Sequence, residues 1–466
     1  MDTGTRPDTG PARRSRRAIL RGSAAAPAAL LAACAAPGGG GPAGGPPGGA
    51  GGAVPPGTTV RLYVGLTPQL TAPYVEALRP FTERTGIKVE LEPAVGSGPY
   101  EVALLTQVAA GAAPDVSNCF GDPLYFFVDN NAAEDLTQRI AKDVPKAEAE
   151  DWLPSQLASF QRGGKQYALP KYCGTSALYG NTELYKQAGV PFPDARTAWP
   201  QFRDRLAALT KTEGGQTLPF GLTANSYAHL GYVLAPLVWA WGGEVTDPKD
   251  DTKCLLDQPA ALDALQFWQD LRWKQHVVPR PDEAAAQGAG SPFAKGYGAN
   301  ERNGSWLITT YQAENPALAW DAFPHPLGPA GARTTFHTTD GYVMLKNTSS
   351  KAPEAAWQLL RYVSGLDWGR MLIRERQRQP ARRSLAPEWV QTTKDVAPAA
   401  RGANLEVFVQ AFEYARPQHS FANNPKAYEV LDPVLQAVYE RNEVPASQAF
   451  KEAAPKVTQL LQSLKR

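Results

Sequence analysis

Alternating strand and helix patterns from residue 60 onward constrain the fold of this chain more than any other sequence feature. Residues 60–64 form a short β-favouring run, and residues 73–84 carry apolar side chains on one helical face. Residues 87–91 alternate as a strand, residues 100–110 repeat the amphipathic helical pattern, and a further strand begins at residues 114–116. This βαβα spacing is typical of a parallel, doubly wound sheet, so we predict an α/β fold.

Two loops that follow strands in this pattern are the first candidate parts of a binding pocket. Ligands of doubly wound sheets bind at the carboxyl ends of the strands. The loop 67–69 offers Thr67, and the loop 118–125 offers Asp122, which could accept a hydrogen bond from a ligand hydroxyl. Asp122 could instead cap its own loop before Pro123. We therefore treat Thr67 and Asp122 as candidate ligand-binding residues.

The distribution of charge excludes one class of partner. The chain has 466 residues, which favours two or three lobes, and a formal net charge of only +2. Six arginines precede residue 22, so the remainder of the chain is mildly acidic. Nucleic-acid binding requires a basic stripe that displaces counterions. We therefore expect no nucleic-acid partner.

The N-terminal segment carries three export signals in order. The sequence around Arg16 and Arg17 resembles the twin-arginine export motif, and an apolar run follows at residues 24–33. Ten helical residues span roughly 15 Å, about half of a bilayer core, so this run fits a signal peptide and not a membrane span. The run ends at Cys34 in Leu-Ala-Ala-Cys, which resembles the lipobox of bacterial lipoproteins. We predict a signal peptide over residues 1–33 and a lipid on Cys34.

Residues 34–57 continue from that cysteine as a tether made almost entirely of glycine and proline. Such a segment cannot bury apolar surface and should stay partly extended. A lipid on Cys34 would place the protein on the outer face of the bacterial cytoplasmic membrane or in the periplasm. A surface-anchored enzyme could use the same layout, so the tether alone does not name a function.

Motifs for metal, nucleotide and nucleophilic chemistry are absent from the sequence. The five histidines are scattered, so neither a metal site nor any other cofactor is expected. Cys119, Cys173 and Cys254 form no C-x-x-C pair, and buried free thiols are the preferred interpretation, with at most one disulfide.

Several stretches in the correct order resemble the extracellular solute-binding proteins of the maltose-binding type, also called family 1. They are residues 81–90, 167–170, 177–184, 293–296, 303–306 and the tail from Ser384. The family usually has a Tyr-Asn pair before the helix of its second lobe, and this chain inserts Gly180 between Tyr179 and Asn181. The resemblance covers the chain from about Thr59 to the end.

This resemblance implies a two-lobed fold of the type II periplasmic-binding-protein class, with a ligand cleft between two α/β lobes. The first lobe would hold residues 58–172 and 345–385, and the second residues 175–337 and 386–466. Hinges would fall near 171–175 and 338–342. The implied function is capture of a small molecule, most simply a mono- or oligosaccharide, for ABC permease subunits in the membrane. The protein would act as a monomer without catalysis.

Candidate ligand-binding residues follow from what a sugar needs, which is aromatic platforms and polar partners for every hydroxyl. The resemblance places Trp306 where the family often stacks a sugar ring, although a core tryptophan is the alternative. Tyr227 and His229 follow an apparent strand at residues 220–223, where the family commonly presents an aromatic side chain. Trp239 and Trp241 lie in a helical run at 232–241; one should pack in the core and the other could reach the cleft.

The two interlobe crossings add three further candidates. Lys171 and Tyr172 lie at the first crossing, close to the cleft in this fold. Asp340 lies at the second crossing, where it could accept a hydroxyl hydrogen bond or merely support the hinge.

Five arginines around Pro380 leave the charge of the ligand open. They are Arg374, Arg376, Arg378, Arg382 and Arg383. They could form a solvated helix end, or they could bind an anionic ligand or the permease.

Two alternatives to transport remain at this stage. A surface-anchored glycoside hydrolase would need two carboxylates about 5–9.5 Å apart, for which Glu244 and Asp340 are candidates. A sensor that binds its ligand and signals through a partner receptor would need no transport function.

Overall fold

The computed structural model describes residues 54–65, 71–92, 100–121 and 123–464. Arg16, Arg17 and Cys34 lie outside the described residues, as do Thr67 and Asp122. The export, lipidation and tether predictions and the two loop candidates therefore stay predictions.

Helices and strands alternate as predicted over the first part of the described chain. The strands are β1 (Thr59–Tyr63), β2 (Lys88–Glu92), β3 (Val116–Phe120), β4 (Gln161–Arg162), β5 (Lys165–Gln166), β6 (Ala168–Asn181), β7 (Thr212–Glu213), β8 (Gln216–Thr217), β9 (Thr246–Asp247), β10 (Asp250–Cys254), β11 (Asn300–Gly304), β12 (Trp320–Phe323), β13 (Thr335–Met344), β14 (Gln379–Pro380) and β15 (Ala415–Pro417).

The α-helices connect and cover these strands. They are α1 (Ala72–Thr85), α2 (Tyr100–Ala109), α3 (Pro123–Asp129), α4 (Thr137–Asp143), α5 (Lys146–Asp151), α6 (Pro154–Ala158), α7 (Thr182–Ala188), α8 (Trp199–Leu209), α9 (Ala235–Ala240), α10 (Pro259–Trp273), α11 (Pro281–Ala286), α12 (Ile308–Glu314), α13 (Pro353–Val363), α14 (Leu366–Arg376), α15 (Ala386–Val396), α16 (Glu406–Gln410), α17 (Asn424–Leu435) and α18 (Ala446–Ser463).

Helix α1 shows why the sequence pattern works locally. Its buried residues Tyr74, Leu78 and Phe81 are spaced so that they share one face, and Pro73 stands in the first turn, where no backbone donor is needed. The helix ends at Gly86, which has φ 70° and donates its N–H to Thr82 O. Glycine adopts this left-handed conformation without a Cβ clash, so it stops the helix before β2.

The main sheet has the order β11-β6-β13-β3-β1-β2, with β12 and β14 also paired to β6 and β15 to β13. Strand β1 pairs in parallel with β2 and β3, which agrees with the doubly wound prediction. The long strands β6 and β13 instead run antiparallel to each other, and β13 is antiparallel to β3. The sheet is therefore mixed.

Strands β6 and β13 cross between two groups of elements. The first half of β6 pairs with β13, and its second half pairs with β11 and β12. Within the crossing, Thr339 lies opposite Cys173 and Asp340 opposite Tyr172, with a register shift between Asp340 and Gly341. The segments predicted as hinges thus lie side by side on these two strands.

Each group of elements has its own apolar core. One core joins side chains of β1, α1, α13 and α14, including Phe81, Trp357 and Trp368. Another joins side chains of α8, α10, α17 and α18, including Trp199 and Trp268. Burying a large apolar side chain stabilises a fold by about 1.5–3 kcal/mol, so each core is an independent source of stability.

Two local features complete the comparison with the sequence. Residues 220–223 do not form the expected strand; Phe220 makes only an isolated bridge to Gly298. Cys119, Cys173 and Cys254 are free and buried, as expected.

None of the helices in the described part of the chain has the length and apolar character needed to cross a bilayer.

Candidate functional site

A cavity of about 630 Å³ opens where β6 and β13 cross, between the two groups of elements. Its lining includes aromatic, hydroxyl, amide and charged side chains. They come from the loop after β3 and from α3 and α6, from β6 and β13, and from the segments around residues 232, 306, 378 and 418. This volume lies in the range of small-molecule sites. Of the predicted loop 118–125, Phe120 at the end of β3 and Tyr125 in α3 border the cavity, and most of that segment is strand and helix.

Trp306 forms part of one wall. It stands in a 3₁₀ turn, Ser305–Leu307, directly after β11, and its side chain is half-buried. A Cβ at Gly174 would lie 2.8 Å from Trp306 Cε3, and a Cβ at Gly304 would overlap the same ring. The two glycines therefore leave the space in which the indole lies.

Three stacked rings support this wall. Tyr232 lies between His229 and Phe336, with ring centroids 4.2 Å and 4.9 Å apart and nearly parallel planes. Trp306 approaches Tyr232 and Phe336 at 6.3 Å and 6.1 Å between centroids. Tyr232 lines the cavity because it projects from a π-helical turn, Leu230–Leu234. Such turns often occur at functional sites.

Asp340 and Tyr172 line the cavity at the strand crossing. Asp340 is only 4% exposed, and its Oδ1 atom has no hydrogen-bond partner among the described residues. Burial raises the pKa of this carboxyl to about 6, although Lys171 and Arg378 act in the opposite direction. An unpaired buried acceptor of this kind favours a ligand that can donate a hydrogen bond.

Lys171 lies behind this wall and is not among the residues that line the cavity. Its Nζ atom donates to Asn118 Oδ1 and sits 4.7 Å from the ring centroids of both Tyr172 and Tyr342. Burial lowers the pKa of the amine to about 8, while Asp340 counteracts that effect. The side chain therefore supports Tyr172 from within the protein.

The other four candidates do not line the cavity, which revises the expectation for Tyr227 and His229, whereas Trp239 lies in the core as predicted for one of the two tryptophans. Tyr227 is 2% exposed, and its hydroxyl donates to Trp268 O. Trp239 packs in the same core, and Trp241 packs against Phe267 at 5.1 Å. His229 is exposed on the outer side of Tyr232, where its Nδ1 accepts from Tyr232 N at 3.1 Å.

Tyr227, Trp239 and Trp241 share one physical reason for missing the cavity, which does not apply to the exposed His229. The helical turns at 230–240 pack their apolar face against α10, because that face continues the core of the second group. Tyr227 precedes those turns and stacks on Trp268 of α10 at 4.8 Å. The aromatic that reaches the cavity is instead Tyr232. One feature of the sequence could have pointed to Tyr232 as a cavity residue: it lies three residues after the candidate His229.

The five arginines around Pro380 have different environments. Arg378 lines the cavity, and Arg382 is buried against Trp152. Arg374 is exposed and paired with Glu375 at 2.9 Å, and Arg383 is also exposed. Arg376 is half-buried. The group therefore does not act as one basic patch.

A family model described as "Bacterial extracellular solute-binding protein" matches residues 64–368, which is more than half of the chain. The chain belongs to this family. A curated relative described as an ABC transporter-binding protein from Deinococcus radiodurans is 26% identical over 374 residues, covering 77% of this chain and 83% of the relative. The family resemblance drawn from the sequence is confirmed.

Solved structures show the fold of this solute-binding protein. The ABC substrate-binding protein Lmo0181 from Listeria monocytogenes, in complex with cycloalternan, has a TM-score of 0.71 at 19% identity, covering 87% of this chain and 99% of that one. UgpB from Mycobacterium tuberculosis, in complex with glycerophosphocholine, also has a TM-score of 0.71, at 18% identity over 88% and 99% of the two chains. The two-lobed, type II periplasmic-binding-protein fold is therefore shown.

The carboxylates suggested for a hydrolase do not meet at the cavity. Glu244 forms an ion pair with Arg416 at 2.8 Å and does not line the cavity. Among the described residues of the lining, Asp340 is the sole carboxylate. Within the described ranges, no group of acidic, histidine or cysteine side chains could hold a metal ion. Nothing in the described site resembles a pair of catalytic carboxyl groups.

Buried neutral histidines make the stability of this solute-binding protein depend on pH. Burial lowers the pKa of His337 and of His419 to about 4, and it lowers the pKa of His325 as well. The unfolded chain would bind protons at these residues below about pH 6.5, whereas the folded chain would not. The folded state is therefore stabilised at neutral pH, and this stabilisation is lost as the pH falls from 6.5 toward 4.

We expect the free energy of unfolding, measured by urea titration, to fall as the pH is lowered from 7 to 5. Below pH 6.5, each such histidine should contribute a fall of about 1.4 kcal/mol per pH unit. Asp340 and Glu301 oppose this loss, because burial raises the pKa of each carboxyl. Replacing His337→Asn should reduce the slope of the free energy of unfolding against pH by the contribution of about one proton, which is about 1.4 kcal/mol per pH unit. A slope unchanged by that substitution would contradict the assignment of a buried neutral His337.

Proposed function

We propose that this ABC transporter solute-binding protein captures a carbohydrate in the cavity at the strand crossing and delivers it to a membrane permease. The observation that carries the proposal is the half-buried Trp306, which lies against the Tyr232 and Phe336 rings on a cavity wall. A sugar presents an apolar C–H face that stacks on such a ring. Lmo0181, which has the same fold, binds the carbohydrate cycloalternan.

Polar groups around the cavity suit the hydroxyls of a sugar. Asp340 offers an unpaired carboxyl oxygen, and Ser155, Ser305 and Gln418 add groups that can donate or accept. An unpaired hydroxyl buried with the ligand would cost about 1–3 kcal/mol, so several such partners are needed. We assign Trp306, Tyr172 and Asp340 to direct ligand contact and Lys171 to support of Tyr172.

Ligand would then stabilise the closed state of the two lobes. We propose lobe boundaries at residues 58–172 plus 345–385 and 175–337 plus 386–466, because the long strands β6 and β13 connect the two cores at these places. Closure requires only that the ligand binds the closed form better than the open form. No catalytic step belongs to this cycle.

Export and anchoring are the remaining parts of the proposal. The twin-arginine motif at Arg16 and Arg17 and the lipobox cysteine Cys34 support export followed by lipidation. The glycine- and proline-rich tether would let the monomeric binding protein reach its permease while it stays on the membrane.

The experiment that tests this function is a melting curve of the protein with neutral sugars and oligosaccharides, followed by recovery of the ligand. A compound that binds at 100 times its Kd should stabilise the fold by about 2.7 kcal/mol, which raises Tm in a concentration-dependent way. We expect at least one carbohydrate to act in this way and to be recovered intact. Hydrolysed ligand would favour the glycosidase alternative, and a flat response to every carbohydrate would refute a carbohydrate ligand.

A further inference from the structure

Arg378 is the one cation among the described residues that line the cavity. It follows α14 and precedes β14, which pairs with β6 at the strand crossing. Its guanidinium lies 5.5 Å from the centroid of the Tyr172 ring, and its backbone N–H donates to Leu372 O at 3.3 Å. The backbone contact and β14 together fix its position beside Tyr172 on the cavity wall.

Two neighbouring arginines are paired with carboxylates, whereas Arg378 has no such partner among the described residues. Arg374 pairs with Glu375 at 2.9 Å, and Arg382 lies 3.5 Å from both Glu148 Oε1 and Asp151 Oδ2. No ion pair joins Arg378 to a carboxylate in the described residues, although Asp340 is near enough to act on its surroundings electrostatically. Arg378 therefore enters the cavity as a half-buried cation without a bonded anion.

Asp340 does not offset this charge by itself. Lys171 and Arg378 both act electrostatically on Asp340, so two cations share this carboxylate. Residues 66–70 and 93–99 lie outside the described ranges and include no charged residue in the sequence, and Asp122 is the one charged residue among the internal positions outside those ranges. Asp340 is therefore not a counter-ion of Arg378 alone.

Closing a ligand into the cavity would remove water from Arg378. Desolvating a charge without a partner costs several kcal/mol, whereas a guanidinium paired with an oxyanion forms two parallel hydrogen bonds. We propose that the ligand carries an oxyanion group, either a carboxylate or a phosphate, that pairs with Arg378 while its apolar face stacks on Trp306. This inference rests on the proposed function and narrows its ligand to an acidic sugar or polyol derivative.

The test uses pairs of compounds that differ by the oxyanion: glucose with glucose 6-phosphate, glucose with glucuronate, and glycerol with glycerol 3-phosphate. Affinities are measured by calorimetry for the unaltered protein, for Arg378→Gln and for the control Arg374→Gln. Arg374 lies on the same segment but is exposed and paired away from the cavity. Arg378→Gln should keep the fold, since the side chain bonds to no carboxylate in the described structure.

We expect the acidic member of at least one pair to bind about 10- to 100-fold more tightly than its neutral member, the range of a charge-assisted hydrogen bond. Arg378→Gln should remove that advantage, whereas Arg374→Gln should preserve it. Tight binding of a neutral member at the level of its acidic partner, or an advantage that survives Arg378→Gln, overturns the inference and leaves the carbohydrate proposal standing. Absence of binding by every compound here, together with a flat response to the carbohydrate panel, overturns both.

Discussion

Replacing Arg382 with alanine should lower the free energy of unfolding by about 3–5 kcal/mol, the largest stability effect that we expect from any of the five clustered arginines. The side chain is 5% exposed, and its guanidinium lies 4.0 Å from the Trp152 ring centroid. Its Nε and Nη2 atoms donate to Ser364 O at 3.1 Å and 3.0 Å, and Nη1 donates to Glu148 O at 3.0 Å.

This one side chain therefore ties α5 to the end of α13. Alanine would leave the buried carbonyl of Ser364 without a donor and would remove the cation beside Glu148 and Asp151. Both effects destabilise the folded state, because buried polar groups lose their partners and no water replaces them.

Urea unfolding followed by tryptophan fluorescence measures the effect, with Arg383→Ala as the matched control. Arg383 is the next residue and is exposed, so its replacement should change the free energy of unfolding by less than about 0.5 kcal/mol. If Arg382→Ala were as stable as Arg383→Ala, the buried hydrogen bonds of Arg382 would contribute nothing and our account of this segment would be wrong.

Replacing Trp306 with alanine should weaken binding of the ligand found in the melting-curve panel by about 30- to 1,000-fold, equivalent to about 2–4 kcal/mol. The indole is half-buried on the cavity wall, and its loss removes the platform that Gly174 and Gly304 leave room for. Stability should change far less than binding, since the ring packs at the edge of the core and not within it.

Trp268→Ala is the contrasting control. Trp268 is buried in the core of the second group and stacks on Tyr227, so alanine there should lower stability by about 3–5 kcal/mol. Trp306→Phe should recover part of the affinity, because a smaller ring still offers a stacking face. Calorimetry and urea unfolding separate the two effects, and unchanged affinity in Trp306→Ala would remove Trp306 from the site.

The structure places the residues predicted for the site in different environments. Tyr172, Trp306 and Asp340 border the cavity, and each was chosen because a family motif or a crossing strand places it there. Tyr227 is a candidate because it follows an apparent strand where the family presents an aromatic, and Trp239 because it lies in an apolar helical run; both lie in the core. For an aromatic residue in an apolar run, the neighbouring sequence does not distinguish a position in the core from a position on a cavity wall.

Local patterns and motifs therefore determined the family, the alternating helices and strands and the two crossing segments, because helix and strand periodicity is a property of neighbouring residues. Only the tertiary structure decided which side chains meet. Tyr232 forms part of a cavity wall by stacking on Phe336, which is far away in the sequence. Arg378, just before β14, lines the cavity, whereas Arg382, just after β14, packs on Trp152. Contacts between residues far apart in the sequence depend on how sheets and helices pack, and no short stretch of sequence encodes that packing.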